Sequence, residues 1–401
     1  MFLHSSHLTK PVEKIDQQSL PGVESSDVAL GLTQVVESTG SEPSGDVTKG
    51  IHGAAHSHHF LHGLIPQLQD LANKYHVGNF VIDRKTKNKF FESMPIYARL
   101  GMHMLFYGKE QVKLLEGNKH VEDLLREQSI REGQIYDSPE SVKNIPSFIS
   151  TYKLQLDELL EPDIHKYKTF NEFFYRKLKA DARPVENAED PNAFCSAADS
   201  RLVVYPNVKE ATTVWIKGDE FSIPSLLCLG PNNPMRDEFS PGSSLAIFRL
   251  APSDYHRFHS PADVKVLGTH HDIPGQYYTV NPQAVNEPKL DVFSRNKRSV
   301  LLLEHVQSGK RIAYVAIGAL LVGSVSWTVE NGQTVKRGEE LGYFAYGGST
   351  VVVVFPPDLI TFDDDLLENS GATGPEGAKK EPVETLMKVG YSLGRWNNPN
   401  A

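Results

Sequence analysis

The chain has 401 residues, 39% of them hydrophobic and 23% charged, which is the composition of a soluble globular protein and more length than one core usually organises. A net charge of −9 argues against nucleic acid as a general partner, because phosphate binding needs a basic surface. Two cysteines, Cys195 and Cys228, leave room for one disulfide but not for a disulfide framework, and no apolar run approaches the roughly 20 residues that cross a bilayer.

The opening MFLHSSHLTKPVEK lacks the apolar stretch of a secretory signal. Residues 1–60 are rich in Ser, Thr, Gly and acidic side chains without apolar periodicity and read as a disordered leader. That leader ends in a histidine patch, His52, His56, His58, His59 and His62. Clustered imidazoles suit a metal, but no fixed scaffold is evident to hold the ligands, so no metal site is assigned. Residues 61–165 change to helical spacing, with Leu64, Leu68 and Leu71 on one face and SMPIYARLGMHMLFYG and VEDLLREQ continuing the style. The stretch Met94 to Gly108 reads as a core helix or as one that touches lipid. FNEFFYRKL then places Phe170, Phe173 and Phe174 on one face of a short helix that docks on the next domain.

After Pro184 the runs become short, β-branched and aromatic: RLVVYP, TVWIKG, SLAIFRL, DVKVLG, QYYTVNP, SVLLLE, RIAYVAIGALLVGSVSW, ELGYFAY and TVVVVFP, punctuated by turn residues. The fold class expected is therefore α+β, an N-terminal helical region followed by a β-rich antiparallel domain over residues 166–401. Within it, VENGQTVKRGEELGYF has the glycine and apolar spacing of lipoyl-like carrier barrels, without the modified lysine at the turn. Asn369 to Pro382 is Gly/Pro/Lys-rich and reads as a loop.

Three features carry chemistry. In AYGGSTVVVVFP, Gly347 and Gly348 precede Ser349, which opens a strand of very high β propensity. The glycines let the backbone bend until the Gly348 carbonyl is presented to the Ser349 hydroxyl; a plain Gly-Gly turn is the alternative. In LAPSDYHRFHSPAD, His256 and His259 lie three apart; one could act as base for a hydroxyl and the other could donate a proton, or both could be structural. In FCSAADSRLVV, Asp199 stands before a strand among apolar neighbours, as a turn aspartate or as the carboxylate behind an imidazole.

Together with FNEFFYRKL, DARPV, WIKGDEF, YYTVNPQAV, SRNKRSVLLL and ETLMKVGYSLGR, these motifs resemble, in order from about Lys166 to Arg395, the phosphatidylserine decarboxylase family, particularly its fungal and plant branch. Two positions depart from the common pattern. Ala-Ala-Asp-Ser replaces Pro-Ala-Asp-Gly around Asp199, and Val264 replaces the Gly often found after H-x-P-x-D.

The resemblance implies a self-processing proenzyme in which Asp199, His259 and Ser349 form the triad. The backbone is cut between Gly348 and Ser349, and Ser349 becomes a covalent pyruvoyl cofactor at the head of the small α-chain, which stays associated with the β-chain. His256 matches the family's proton donor. The implied reaction takes phosphatidylserine to phosphatidylethanolamine and carbon dioxide through a Schiff base, in the cytoplasm or peripherally at an intracellular membrane. Two alternatives stand beside it, a decarboxylase of a free amino acid, such as an aromatic one, and a non-catalytic β-barrel binding module.

Overall fold

The computed structural model describes residues 78–93, 133–214, 221–239, 242–278, 291–318, 324–345, 349–372 and 382–396, with residues 130, 216, 280, 285 and 347 between them. The leader, its histidine patch, the LIPQLQDLANKYH and VEDLLREQ segments and all of SMPIYARLGMHMLFYG after Ser93 lie outside the described residues, as does Gly348.

The architecture is mixed α/β, dominated by sheets with few and short helices. Ten strands form one large sheet. In chain order they are β1 (Gly78–Asp83), β2 (Lys89–Ser93), β4 (Ser200–Tyr205), β5 (Ser244–Leu250) and β7 (Val264–Ile273). They continue with β8 (Arg298–His305), β9 (Arg311–Gly318), β11 (Thr334–Val335), β13 (Ser349–Phe355) and β15 (Glu384–Met387). Their spatial order is β11-β7-β8-β9-β13-β5-β4-β15-β1-β2. Two three-stranded sheets flank it. One contains β6 (Arg257–His259), β10 (Val325–Trp327) and β12 (Glu340–Phe344); the other contains β3 (Ala193–Cys195), β14 (Thr361–Phe362) and β16 (Ser392–Arg395).

Strand β13 lies inside the large sheet because its sequence allows nothing else. All seven residues are buried, and side-chain alternation sends them to two different cores. Val351, Val353 and Phe355 join one that contains Leu250, Phe258, Tyr314 and Phe344, whereas Val352 and Val354 join another with Ile247, Val315 and Ile317. A strand buried on both faces reads as a continuous apolar run rather than an alternating one, and four consecutive valines supply it.

A third, aromatic cluster forms around α1 (Ile145–Tyr152) and α2 (Phe170–Phe174). The Thr169 hydroxyl caps α2 by accepting from Glu172 N at 3.1 Å. Phe170, Phe173 and Phe174 are fully buried, as their spacing predicts. Phe148 of α1 meets Phe170 edge-on at 5.1 Å.

Several expectations change. Residues 61–165 are not uniformly helical: β1 and β2 form a hairpin inside that range, and β1 joins β15 as a parallel neighbour in an otherwise antiparallel sheet. The hairpin turn is fixed by Asp83, whose carboxylate accepts from Thr86 N at 2.8 Å, and by Lys87 at φ 59°. The lipoyl-like segment supplies β11 and β12 to two different sheets, and no closed barrel forms among the described residues, so the spacing marks hairpin turns rather than a barrel. The TVWIKG run, expected as a strand, opens inside a helix, since Thr213 and Val214 end the helix Val208–Val214. Cys195 and Cys228 are both free. Among the described residues no helix is long and apolar enough to cross a membrane.

Candidate active site

Ser349 is the first residue of β13, in register with Leu250 of β5 and Gly318 of β9. It is fully buried, and its Oγ has no hydrogen-bond partner among the described residues. Its side chain faces the core that holds Phe258, the residue between the two histidine-bearing positions of β6 and its lead-in. Gly347 has φ 132°, a conformation that residues with a Cβ avoid, so the turn into β13 depends on glycine there.

His259 ends β6. Its N–H donates to the Ala197 carbonyl at 2.7 Å, which brings the SAADS segment against this strand and sets Asp199 two residues from that bond. The ring donates from Nδ1 to the Gly338 carbonyl at 2.9 Å. A carbonyl only accepts, so Nδ1 carries the hydrogen and Nε2 presents a lone pair. That Nε2 is buried and without a partner among the described residues. Burial lowers the imidazole pKa, while the Gly338 carbonyl and the charges of Glu340 and Asp199 act in the opposite sense.

Asp199 itself does not hydrogen-bond the ring. Its carboxylate takes two guanidinium nitrogens of Arg183, Nη2 at 2.7 Å and Nε at 3.0 Å, and the Val389 N–H at 2.8 Å. Arg183 also reaches Glu158 at 2.9 Å. The motif resemblance predicts a carboxylate behind the imidazole; a peptide carbonyl takes that place here, and Asp199 acts on the ring through space. Arg183 is visible in the sequence only as part of DARPV, and no residue pattern announces a carbonyl as an orienting group.

Gly338 can deliver that carbonyl because it adopts φ +83°, and a Cβ there would stand 2.4 Å from Val185 Cγ2. Gly338→Ala is expected to lose about 1–2 kcal/mol of stability through left-handed strain and to displace the hydrogen bond that aims His259. Self-cleavage followed on a denaturing gel should slow several-fold; unchanged cleavage would remove the carbonyl from the account.

His256 is fully buried. Its Nδ1 donates to the Asp254 carbonyl at 2.9 Å, and its Nε2 has no partner among the described residues. The ring lies 4.0 Å from that of Phe174 in α2. Burial pushes its pKa down to about 3, and the nearby charges of Arg176 and Arg201 press the same way. Asp254 is anchored beneath it by Arg201, which also grips Glu92 of the β1–β2 hairpin; Arg249 pairs with Glu384 at 2.5 Å. Glu92 falls in the region expected to be helical, and no local motif signals its part in this buried ion cluster. Asn296, fully buried, ties YYTVNP to the neighbour of Ser349: it accepts from Tyr278 N at 2.9 Å and donates to the carbonyls of Tyr278 at 2.7 Å and Gly318 at 3.1 Å.

His256, His259 and His305 all have folded pKa values below the unfolded value near 6.5, the last at about 4. Below pH 6.5 the unfolded chain therefore binds more protons than the folded one. Stability is intact above that pH and falls as pH drops, by up to about 1.4 kcal/mol per unit for each histidine. The thermal midpoint should drop between pH 7.5 and pH 5; a constant midpoint would show that these rings are not held neutral.

A buried serine hydroxyl at a strand start, two imidazoles whose Nε2 atoms lack partners among the described residues, and a fixed carboxylate are the residue types that nucleophilic chemistry by serine draws on. A family model described as phosphatidylserine decarboxylase matches residues 170–374. The chain is 43% identical over 320 residues to phosphatidylserine decarboxylase proenzyme 3 of Schizosaccharomyces pombe, covering 80% of this chain and 31% of that protein. It is 44% identical over 316 residues to proenzyme 2 of Oryza sativa, covering 78% and 48%. With the phosphatidylserine decarboxylase proenzyme of Chlamydia pneumoniae it shares 36% identity over 317 residues, 78% of this chain and 96% of that one. The chain belongs to the phosphatidylserine decarboxylase family. It spans less than half the length of these fungal and plant relatives.

Proposed function

We propose that this chain is a self-processing, pyruvoyl-dependent decarboxylase that converts phosphatidylserine to phosphatidylethanolamine and carbon dioxide. One observation carries the reading: Ser349 Oγ, His256 Nε2 and His259 Nε2 are all buried and without partners among the described residues. Interiors normally satisfy such atoms, and Phe258, between the two histidines, shares a core with Val351, two residues on from Ser349; three such atoms on these segments suit a place kept for reaction. The relatives' names, as phosphatidylserine decarboxylase proenzymes, give the substrate class and the processing.

In this reading His259 Nε2 takes the proton of Ser349 Oγ, which attacks the Gly348 carbonyl carbon. The amide C–N bond breaks, its nitrogen takes up a proton, and an ester joins the two residues. Loss of the Ser349 Cα hydrogen then expels the Gly348 carboxylate, and water displaces the nitrogen as ammonia to leave a pyruvoyl cap. The residues present fit that group: Ser349 Oγ makes no hydrogen bond among the described residues, and the strand behind it is locked in the ladder on both sides. The cap supplies an electron-accepting carbonyl to a substrate amine, the service pyridoxal phosphate gives elsewhere. His256 Nε2 starts with a lone pair, so it must receive a proton before it can return one. It accepts the proton that a substrate ammonium sheds and gives it back to carbon once carbon dioxide has left.

Processed protein incubated with dispersed phosphatidylserine is expected to release carbon dioxide, and with free amino acids to release none. Gas from the free amino acids alone would replace the lipid with a small-molecule substrate.

A further inference from the structure

Arg176, two residues past α2, is buried to 6% exposure, yet it forms no ion pair among the described residues. Its neighbours differ. Arg183 has Asp199 and Glu158, Arg201 has Glu92 and Asp254, Arg249 has Glu384, and Arg257 has Glu340. Arg298 also lacks a carboxylate, but four carbonyls between 2.5 and 3.0 Å surround its guanidinium. Arg176 has two among the described residues, Phe174 O at 3.3 Å from Nη1 and Ser253 O at 3.2 Å from Nη2, and its Cζ lies 5.4 Å from the Phe173 ring. A guanidinium offers five N–H donors, and a buried one without a paired carboxylate is costly; Asp199 and Asp254 act on it only through space. Burial accordingly pulls its pKa below the ordinary value.

Its position ties it to the reacting groups. Ser253, which accepts from Nη2, is three residues beyond Leu250, the cross-strand partner of Ser349. Phe174, which accepts from Nη1, lays its ring against His256. Arg176 thus stands on the α2 side of His256, one residue contact away from each of the two segments that carry the reacting groups.

We propose that Arg176 binds the phosphodiester of the substrate. This rests on the decarboxylase reading above and deepens it, by naming the part of the substrate that is recognised. A phosphodiester keeps its single negative charge throughout the reaction, and an arginine fork matches its oxygens. The scissile carboxylate is the poorer candidate. It loses its charge as carbon dioxide forms, so a cation paired with it would stabilise the ground state more than the transition state and slow the step. Binding a remote, unreacting group places the amine and carboxylate without that penalty. A free amino acid lacks the phosphodiester, so Arg176 selects against it.

The test uses processed enzyme turning over phosphatidylserine, with glycerophosphoethanolamine or ethanolamine as competing inhibitor. Wild type should bind glycerophosphoethanolamine roughly ten- to a hundred-fold more tightly, as expected for a charge-assisted hydrogen bond. Arg176→Gln should erase most of that gap and raise KM for phosphatidylserine by a similar factor, with the loss falling on KM more than on kcat. Arg176→Lys should keep part of both, and self-cleavage of each variant reports folding. Equal inhibition of wild type by the two compounds overturns the proposal without any variant, and so does an Arg176→Gln enzyme that keeps the gap. A wild-type enzyme that releases no carbon dioxide from phosphatidylserine would instead defeat the substrate reading and this inference together.

Discussion

Ser349→Ala yields one uncut chain that releases no carbon dioxide. The hydroxyl is both the attacking group and the source of the prosthetic carbonyl, so its removal takes activity below detection rather than reducing it. The fold should not suffer. Ser349 Oγ makes no hydrogen bond among the described residues, and the backbone of β13 remains paired with β5 and β9. Deleting an unsatisfied buried hydroxyl is neutral or stabilising by about 1 kcal/mol. A denaturing gel and a thermal midpoint taken together check this: one full-length band with an unlowered midpoint is the expected pair. Two bands from this variant would mean that the cut lies elsewhere.

The two histidines are expected to fail differently, and electrostatics gives the reason. Around His259, burial and Arg257 oppose a proton on the ring, but the Gly338 carbonyl, Glu340 and Asp199 favour it. Around His256, burial, Arg176 and Arg201 oppose it, and only the Asp254 carbonyl favours it. His259 is therefore the better base for the serine hydroxyl, and His259→Ala should slow cleavage by roughly 10²–10⁴-fold, the usual share of general base catalysis. His256→Ala should still cleave but lose decarboxylation by about 10²-fold or more. His256→Gln, which fills more of the space beside Phe174, checks that the loss is chemical rather than a packing defect. Time courses of band conversion and carbon dioxide release separate the two effects. A fully active His256→Ala enzyme would end this division of labour.

The range of each interaction decides whether the sequence discloses it. Ser349 with its glycines, the Y-H-R-x-H pair and the capped α2 helix are local patterns, and each is legible because neighbours in sequence dictate it. The β1–β2 hairpin is not. GNFVID and KFFES are short, they sit among helical spacing, and their strand partner β15 lies about three hundred residues further along the chain. Glu92 is hidden with them. The partners of Asp199 are equally obscure, because Arg183 and the Val389 N–H reach it from distant parts of the chain. The carrier-like glycine spacing is real but specifies only turns; whether the hairpin closes a barrel depends on which sheets β11 and β12 join. Arg176 is in plain view within FNEFFYRKL, and only burial without an ion pair distinguishes it from a surface arginine.

The intact mass of the mature protein tests the central claim most directly. Two polypeptides are expected, the smaller spanning residues 349–401 and lighter by one ammonia than a fragment that begins with serine. An active preparation that contains only the uncut chain, or a small fragment with an ordinary serine at its head, would contradict it.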